Sequence, residues 1–353
     1  MDLNLEQVRP EDLDEVVAFL RTIFHASLDA PFLQTDLVRW KFFEPRPDWD
    51  GPRSYMFREQ GRIVAHACVV PTTFVMPDGA VVRSFFPIDW AASPSVPGAG
   101  ILLLKELTAL ADIRIGYGGS ADTRAIVHKG HSGKKHLYEQ IIGEVIHARR
   151  IFRPWSPLKH RTEPAWRALA KAGLRTWQNT LRPLRSVGDW AACPVDRFDD
   201  RLPNLHLRGN PTGLALPFRT PELLNYMLRC PSVRFSGFLL EKSHIVRGHF
   251  LLADLGEEVR LADLVIDTDA SEDWVACYTL AVLTAKQYYP RGGHLVAVAA
   301  PSSLQAALYR AGFTVTQRAP LIMQDKSSIF APAQPPVVNM MDSDSAYFFE
   351  AGS

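Results

Sequence analysis

A net field of one sign is missing from this chain. Lys and Arg number 39 against 38 Asp and Glu, so nothing global draws the protein to nucleic acid or to an anionic membrane, and neither is expected as a partner. Cysteine is scarce. Cys68, Cys193, Cys230 and Cys277 are scattered with no C-x-x-C pair, which argues against a disulfide framework and a structural zinc site and reads as four reduced, buried thiols. Long apolar runs are missing too: no stretch approaches the roughly 18 uninterrupted apolar residues of a membrane span. The opening MDLNLEQVRPEDLDE is acidic and has no apolar signal-peptide core, so the expected location is the cytoplasm. What remains is an ordinary globular composition, 47% hydrophobic and 22% charged over 353 residues, with length for two domains.

Elements of both kinds can be read along the first half. LNLEQ is a short strand, and after Pro10 an amphipathic helix carries Leu13, Val16, Val17 and Leu20 on one stripe. QTDLVRWKFFEP reads as a second helix stopped by Pro45. RSYMFRE and RIVAHACVVPTTFVM pair across the Gln60-Gly61 turn, and AVVRSFFPIDWAA adds a strand after Asp78-Gly79. A helix from Ile101 to Ala111, the strand DIRIGYGGS and the helix ADTRAIVHKGH follow. Residues 155 to 200 are basic and rich in Trp and Pro, and read as a partly helical connector.

The pattern then begins again. LVRWKFFEP, from Leu37, aligns with LLNYMLRCP, from Leu223; EQGRIV, from Glu59, with EKSHIV, from Glu241; and SADTRAIVHKGH, from Ser120, with SSLQAALYRAGF, from Ser302. The three pairs share one order and a nearly constant spacing, which indicates two copies of one α/β unit. The divisions expected are 1–154, a connector 155–200, 201–330, and a Pro-rich, acidic-aromatic tail 331–353 whose Tyr347, Phe348 and Phe349 favour packing over disorder.

The segment IDWAASPSVPGAGILLLKEL holds the most specific motif: a strand passing through Pro94, Gly98 and Gly100 straight into a helix. Glycine allows close backbone approach, and N–H groups at a helix start can point at phosphate. On these residues and the order of elements over about 3–153, the first copy resembles the GNAT superfamily of acyl-CoA N-acyltransferases. The resemblance implies a mixed α/β fold of two tandem GNAT-like domains, each a mostly antiparallel twisted sheet flanked by helices. It implies an acyl-CoA site formed by Trp90, Ala91 and Ala92 at the strand end and by Val96, Gly98, Ala99, Gly100 and Ile101 in the loop and helix start. Acetyl-CoA or another acyl-CoA would be the co-substrate, with no metal; His128, His131 and His136 have no carboxylate or Cys at ligand spacing. Ser95 stands where the family has Gln or Arg, and Pro97 contributes no N–H.

The second copy has Ser271-Glu272-Asp273 at the corresponding helix start, which is anionic and lacks glycine, so it is expected not to bind coenzyme A. The Tyr that family members use as acid on their fourth helix is replaced by Ile126, Val127 and His128. His128 or Tyr117 would substitute, each with a plain structural alternative, surface and core respectively. Asp89, inside an apolar strand, is either the base that orients or deprotonates the amine or a hydrogen-bonded structural residue with Asp263 or Asp267 as its counterpart. His66 reads as a satisfied core histidine. The function implied is transfer of an acetyl or other acyl group to the amine of a small molecule, by direct attack in a ternary complex. Two readings stay beside it: a non-catalytic tandem fold that binds a ligand, and an acyltransferase served by the phosphopantetheine of an acyl carrier protein.

Overall fold

The computed structural model describes residues 3–117, 139–155, 164–202, 210, 212–325, 329–330 and 335–348. Near the N-terminus are β1 (Glu6–Gln7), α1 (Leu13–Ile23) and α2 (Thr35–Phe42), then β2 (Ser54–Glu59), β3 (Arg62–Val75) and β4 (Val81–Ala92). Helix α3 (Ala99–Leu107), β5 (Ile113–Tyr117), β6 (Glu139–Ile151) and α4 (Ala165–Leu181) follow. The rest comprises β7 (Trp190–Val195), β8 (Leu216–Pro217), α5 (Pro221–Leu228), β9 (Arg234–Lys242), β10 (Ile245–Leu255), β11 (Glu258–Ile266), α6 (Ser271–Tyr288), β12 (His294–Ala299), α7 (Ser302–Arg310) and β13 (Thr314–Asp325). The expected helix 101–111 starts two residues early and stops at Leu107. Gly98, with φ +88°, sets its first turn, and the Thr108 hydroxyl closes its end on the Lys105 carbonyl.

The strands form one mixed sheet in the order β1-β2-β3-β4-β5-β13-β6-β12-β11-β10-β9-β7, with β8 beside β3. Two neighbour pairs are parallel, β4–β5 and β11–β12; the other pairs are antiparallel. Read from either end, the order repeats: β2-β3-β4-β5 on one side matches β9-β10-β11-β12 on the other. The last strand of each series lies beside the other series, β13 next to β5 and β6 next to β12, so one sheet carries both, and β7, inside 155–200, is its far edge strand beside β9. The two hairpins aligned in the sequence turn alike, with positive φ at Gln60 and Gly61 in one and at Ser243 and His244 in the other. Trp40 of α2 and Tyr226 of α5, which occupy matching places in the aligned segments, stack at 4.6 Å between ring centroids, and the Tyr226 hydroxyl donates to the Trp40 carbonyl.

Alternation along β3 and β4 sends Cys68, Val70, Phe86 and Ile88 into the core shared with α1 and α2. Ala65, Ala67, Val69 and Phe85 face the opposite core, under α3. The two faces of this sheet region are thus covered by different helices. Among the described residues no helix is long and apolar enough to cross a membrane. The cysteines are unpaired thiols; Cys193, expected to be buried, is half-buried on β7, which pairs with β9 at the edge of the sheet.

Candidate active site

The site begins with an irregularity in β4. Cys68 faces Ile88 while His66 faces Ala91, so one residue of β3, Ala67, opposes two of β4 and a bulge forms at Asp89-Trp90. Asp89 takes φ +48°, a conformation that Asp tolerates better than most residues. His66 holds the bulge: Nδ1 lies 3.0 Å from the Asp89 carbonyl and so donates to it, leaving Nε2 to accept from the Ser54 hydroxyl at 2.8 Å. Burial pushes the His66 pKa down to about 4, which keeps the ring neutral. The Asp89 carboxylate is bound by Lys41 Nζ of α2 at 2.6 Å, both side chains almost fully buried, and Lys41 also donates to the Phe32 carbonyl. Asp263, on β11, is likewise paired inside the fold, by Arg219 through two hydrogen bonds of 3.0 Å and by His249 at 2.8 Å.

Ahead of the bulge β4 and β5 part. β4 pairs with β5 only at Ser84–Ile113 and Phe85–Arg114, while β5 turns to β13 through Tyr117. Among the described residues nothing pairs with Phe86–Ala92 on that side, and a wedge opens in the sheet. A cavity of about 990 Å³ fills it, lined by Phe86 to Asp89 of β4 and by Gly116 and Tyr117 of β5. Its outer wall is the α1–α2 connection, with Phe24 and Phe32, and the C-terminal segment, with Ser343, Asp344, Ser345 and Phe348; His147 of β6 closes the floor.

The C-terminal segment is fastened from both sides. Arg219 and the Thr72 hydroxyl of β3 hold Asp342, and Arg260 of β11 donates to the Ser345 and Phe348 carbonyls at 2.7 Å. Tyr347 sets its edge against Trp40, and Phe348 packs on Phe32.

Two titratable groups in the wall differ in state. The Tyr117 hydroxyl meets Ser343 Oγ at 3.0 Å, and burial above all pushes its pKa up to about 12, so it stays protonated. Burial, with the charge of Asp89 added and Lys41 opposing, pushes Asp344 up to about 6. His147, edge-on to Tyr117, is held below its ordinary value by burial and by Arg260, and is neutral near pH 7. The cavity therefore sets a protonated phenol and a carboxyl that titrates close to neutrality in one wall, the arrangement general acid-base chemistry requires.

The glycine loop lies where β4 runs into α3, on the other face from α1. Gly98 is in the left-handed region with open space around it, whereas a Cβ on Gly100 would sit 2.9 Å from Ala92 Cβ and 3.1 Å from the Trp90 indole nitrogen. That indole donates to the Gly100 carbonyl at 3.0 Å. Each glycine thus has a conformational or packing reason to be there. The Val96 and Ala99 amides are used inside the turn, by Ser93 and Val96 carbonyls, so Gly98, Gly100 and Ile101 carry the N–H groups that no described acceptor takes. The matching place in the second series is filled from within: Asp273 binds Trp190, Lys242 and Thr268, and Glu272 pairs with Arg310.

The structure therefore brings Asp89 and Tyr117 to one cavity and sets Trp90, Ala91, Ala92, Val96, Gly98, Ala99, Gly100 and Ile101 along the adjoining strand end and loop. His128, with His131 and His136, lies outside the described residues. Lys41, His147 and Asp344 were not singled out in the sequence. Asp344 gave a signal, an acidic residue in the aromatic-ended run DSDSAYFF; Lys41 and His147 gave none, because their importance comes from strands and helices far away in the chain.

No protein-family model matches the chain, and no curated protein matches it either. Solved structures do. A GCN5-related N-acetyltransferase from Anabaena variabilis superposes at TM-score 0.55 with 11% identity, over 91% of this chain and 72% of that one. A GCN5-related N-acetyltransferase from Kribbella flavida gives 0.55 and 16%, over 91% and 70%. The N-myristoyltransferase of Saccharomyces cerevisiae, solved with bound myristoyl-CoA, gives 0.54 and 12%, over 92% and 82%. At such identities the likeness is one of fold: the chain has the fold of the GNAT superfamily, and the resemblance read from the sequence is borne out at that level.

Proposed function

We propose that this protein is an N-acyltransferase that takes an acetyl or longer acyl group from acyl-CoA and passes it to the amine of a small molecule. The observation that carries the reading is the wedge between β4 and β5, lined by Phe86 to Asp89 and by Gly116 and Tyr117, on the strand that runs on into the glycine loop and α3. The N–H groups of Gly98, Gly100 and Ile101, at the positive end of α3, would meet the pyrophosphate. The pantetheine would pair with the unpartnered edge of β4, and the bulge at Asp89 would aim main chain at the thioester carbonyl. The amine nitrogen attacks that carbon as the C–N bond forms and the C–S bond breaks. Asp344, as carboxylate, receives the ammonium proton before attack, Tyr117 protonates the departing thiolate, and the second proton that nitrogen loses as the adduct collapses returns to the Tyr117 phenolate, so an amide and free coenzyme A result. Asp89, bound to Lys41, shapes the site rather than moving a proton.

In this reading residues 1–154 supply the donor site and 201–330 a companion copy that binds no coenzyme, which is supported by the mirrored strand order and by the internal pairing of Asp273. The protein would act in the cytoplasm. A carrier-protein thioester remains the second reading, favoured by Pro97, which removes one N–H from the loop. Calorimetric titration with coenzyme A and acetyl-CoA separates the two. Wild-type binding lost in Gly98→Asp, which sets a negative charge in open space at the loop, supports the acyl-CoA reading. No coenzyme binding together with acylation from a carrier protein selects the second, and failure of both leaves a non-catalytic binding fold.

A further inference from the structure

We propose that α4 is a surface helix that docks the protein on an anionic lipid bilayer. The proposal is independent of the acyl-transfer reading. α4 has 17 residues, about 25 Å at 1.5 Å per residue, and its buried residues are Ala168 and Ala172. Its large apolar side chains point elsewhere: Trp166 is 66% exposed, Leu169 52%, Leu174 53%, Trp177 60% and Leu181 60%. At helical spacing these five fall within about 140° of arc, turned away from the alanine face. A helix that hides alanines and displays two tryptophans and three leucines is inverted relative to one packed only on its own core.

The sequence of the helix and the turn after it carries charge of one sign. From 164 to 188 the chain carries Arg167, Lys171, Arg175, Arg182 and Arg185 and no Asp or Glu, in a protein whose total charge is +1. The overall balance that led to no expected membrane partner therefore conceals a local cationic field. Arg167 lies over the Trp166 ring at 5.2 Å, holding a cation next to an indole, the pairing suited to headgroup depth. The helix is also anchored so that it can bear load. Asn179 donates to the Ile151 carbonyl at 2.8 Å, and Arg150 donates to the Arg182 carbonyl at 2.7 Å, tying its C-terminal end to the end of β6.

Charge chooses among occupants. A second copy would set like-charged flanks together, and a folded acidic protein would need pockets for five apolar side chains spread along a convex surface. An anionic bilayer accepts both the indoles and the cations, as interfacial helices do.

The test is flotation of the full chain with vesicles of phosphatidylcholine alone and of phosphatidylcholine with about one third phosphatidylglycerol. Binding is expected only to the anionic vesicles, falling about tenfold or more on raising salt from about 0.05 to 0.5 M. Trp166→Ala/Trp177→Ala should lower it about tenfold and Arg167→Glu about threefold, with thermal unfolding unchanged because Trp166, Trp177 and Arg167 are exposed. Absence of binding to anionic vesicles overturns the proposal, as does equal binding to neutral ones. So does a wild-type dimer, or a complex with an acidic acyl carrier protein, that the tryptophan variant abolishes while vesicles are ignored.

Discussion

Asp344 binds its proton more tightly in the fold than in the open chain, because burial and the neighbouring Asp89 charge both disfavour the carboxylate. A carboxyl raised in this way removes stability as pH rises from about 4 to about 6 and gives none of it back above. Asp344→Asn should therefore raise the melting temperature at pH 7.5, by the equivalent of roughly 1–3 kcal/mol, while lowering kcat by about 100-fold or more. The wild-type rate should climb with pH through an apparent pKa near 6, and a flat profile over pH 5–7 would remove Asp344 from the proton path. His66 acts in the opposite sense. Its pKa is depressed to about 4, so it lends stability that is lost as pH falls from about 6.5 to 4. Lys41→Met tests the ion pair. It strands the buried Asp89 carboxylate, and urea unfolding should show a loss of about 3–5 kcal/mol. A loss below about 1 kcal/mol would mean that Asp89 finds water or a proton instead.

At the level of elements, the join of β4 to α3 separates two jobs that one motif suggested. Gly100→Val forces the helix off Ala92 and Trp90 and should cost about 1–3 kcal/mol along with coenzyme affinity. Gly98→Ala meets no neighbour and should cost only about 1 kcal/mol of backbone strain. Thermal melts beside calorimetry check both, and equal stability losses would contradict the packing role of Gly100. Alternating hydrophobicity made β2, β3 and β4 legible, and the turns at Gln60-Gly61 and Asp78-Gly79 fixed their hairpins. The bulge at Asp89 was not legible: one extra residue in β4 leaves the alternation intact on either side, and only the register against β3 reveals it. Lys41 escaped for a related reason. It follows Trp40 in an unremarkable amphipathic helix, and its partner lies 48 residues on.

Across the whole molecule, the C-terminal segment ties the halves together. Asp342 accepts from Thr72 on one side and Arg219 on the other, while Tyr347 covers the Trp40–Tyr226 stack. Asp342→Ala should free the segment, so limited proteolysis should cut near residue 340 well before the sheet opens; cleavage first within β3 or β10 would contradict that order. The repeated strand order could be suspected from three short aligned segments, yet the exchange of β6 and β13 could not, since neither hydrophobic pattern nor spacing records which neighbour a strand chooses. The wedge itself offers the most direct test. Gly116 lines the cavity with nothing within 4 Å of an added Cβ and an unstrained backbone, so Gly116→Phe should fold normally and fill the opening between β4 and β5. Calorimetry with acyl-CoA should give one site per wild-type chain and a loss of at least tenfold in affinity for the variant. Unchanged acyl-CoA binding by a folded Gly116→Phe protein, or two sites per chain, would contradict the assignment of the wedge as the acyl-transfer site.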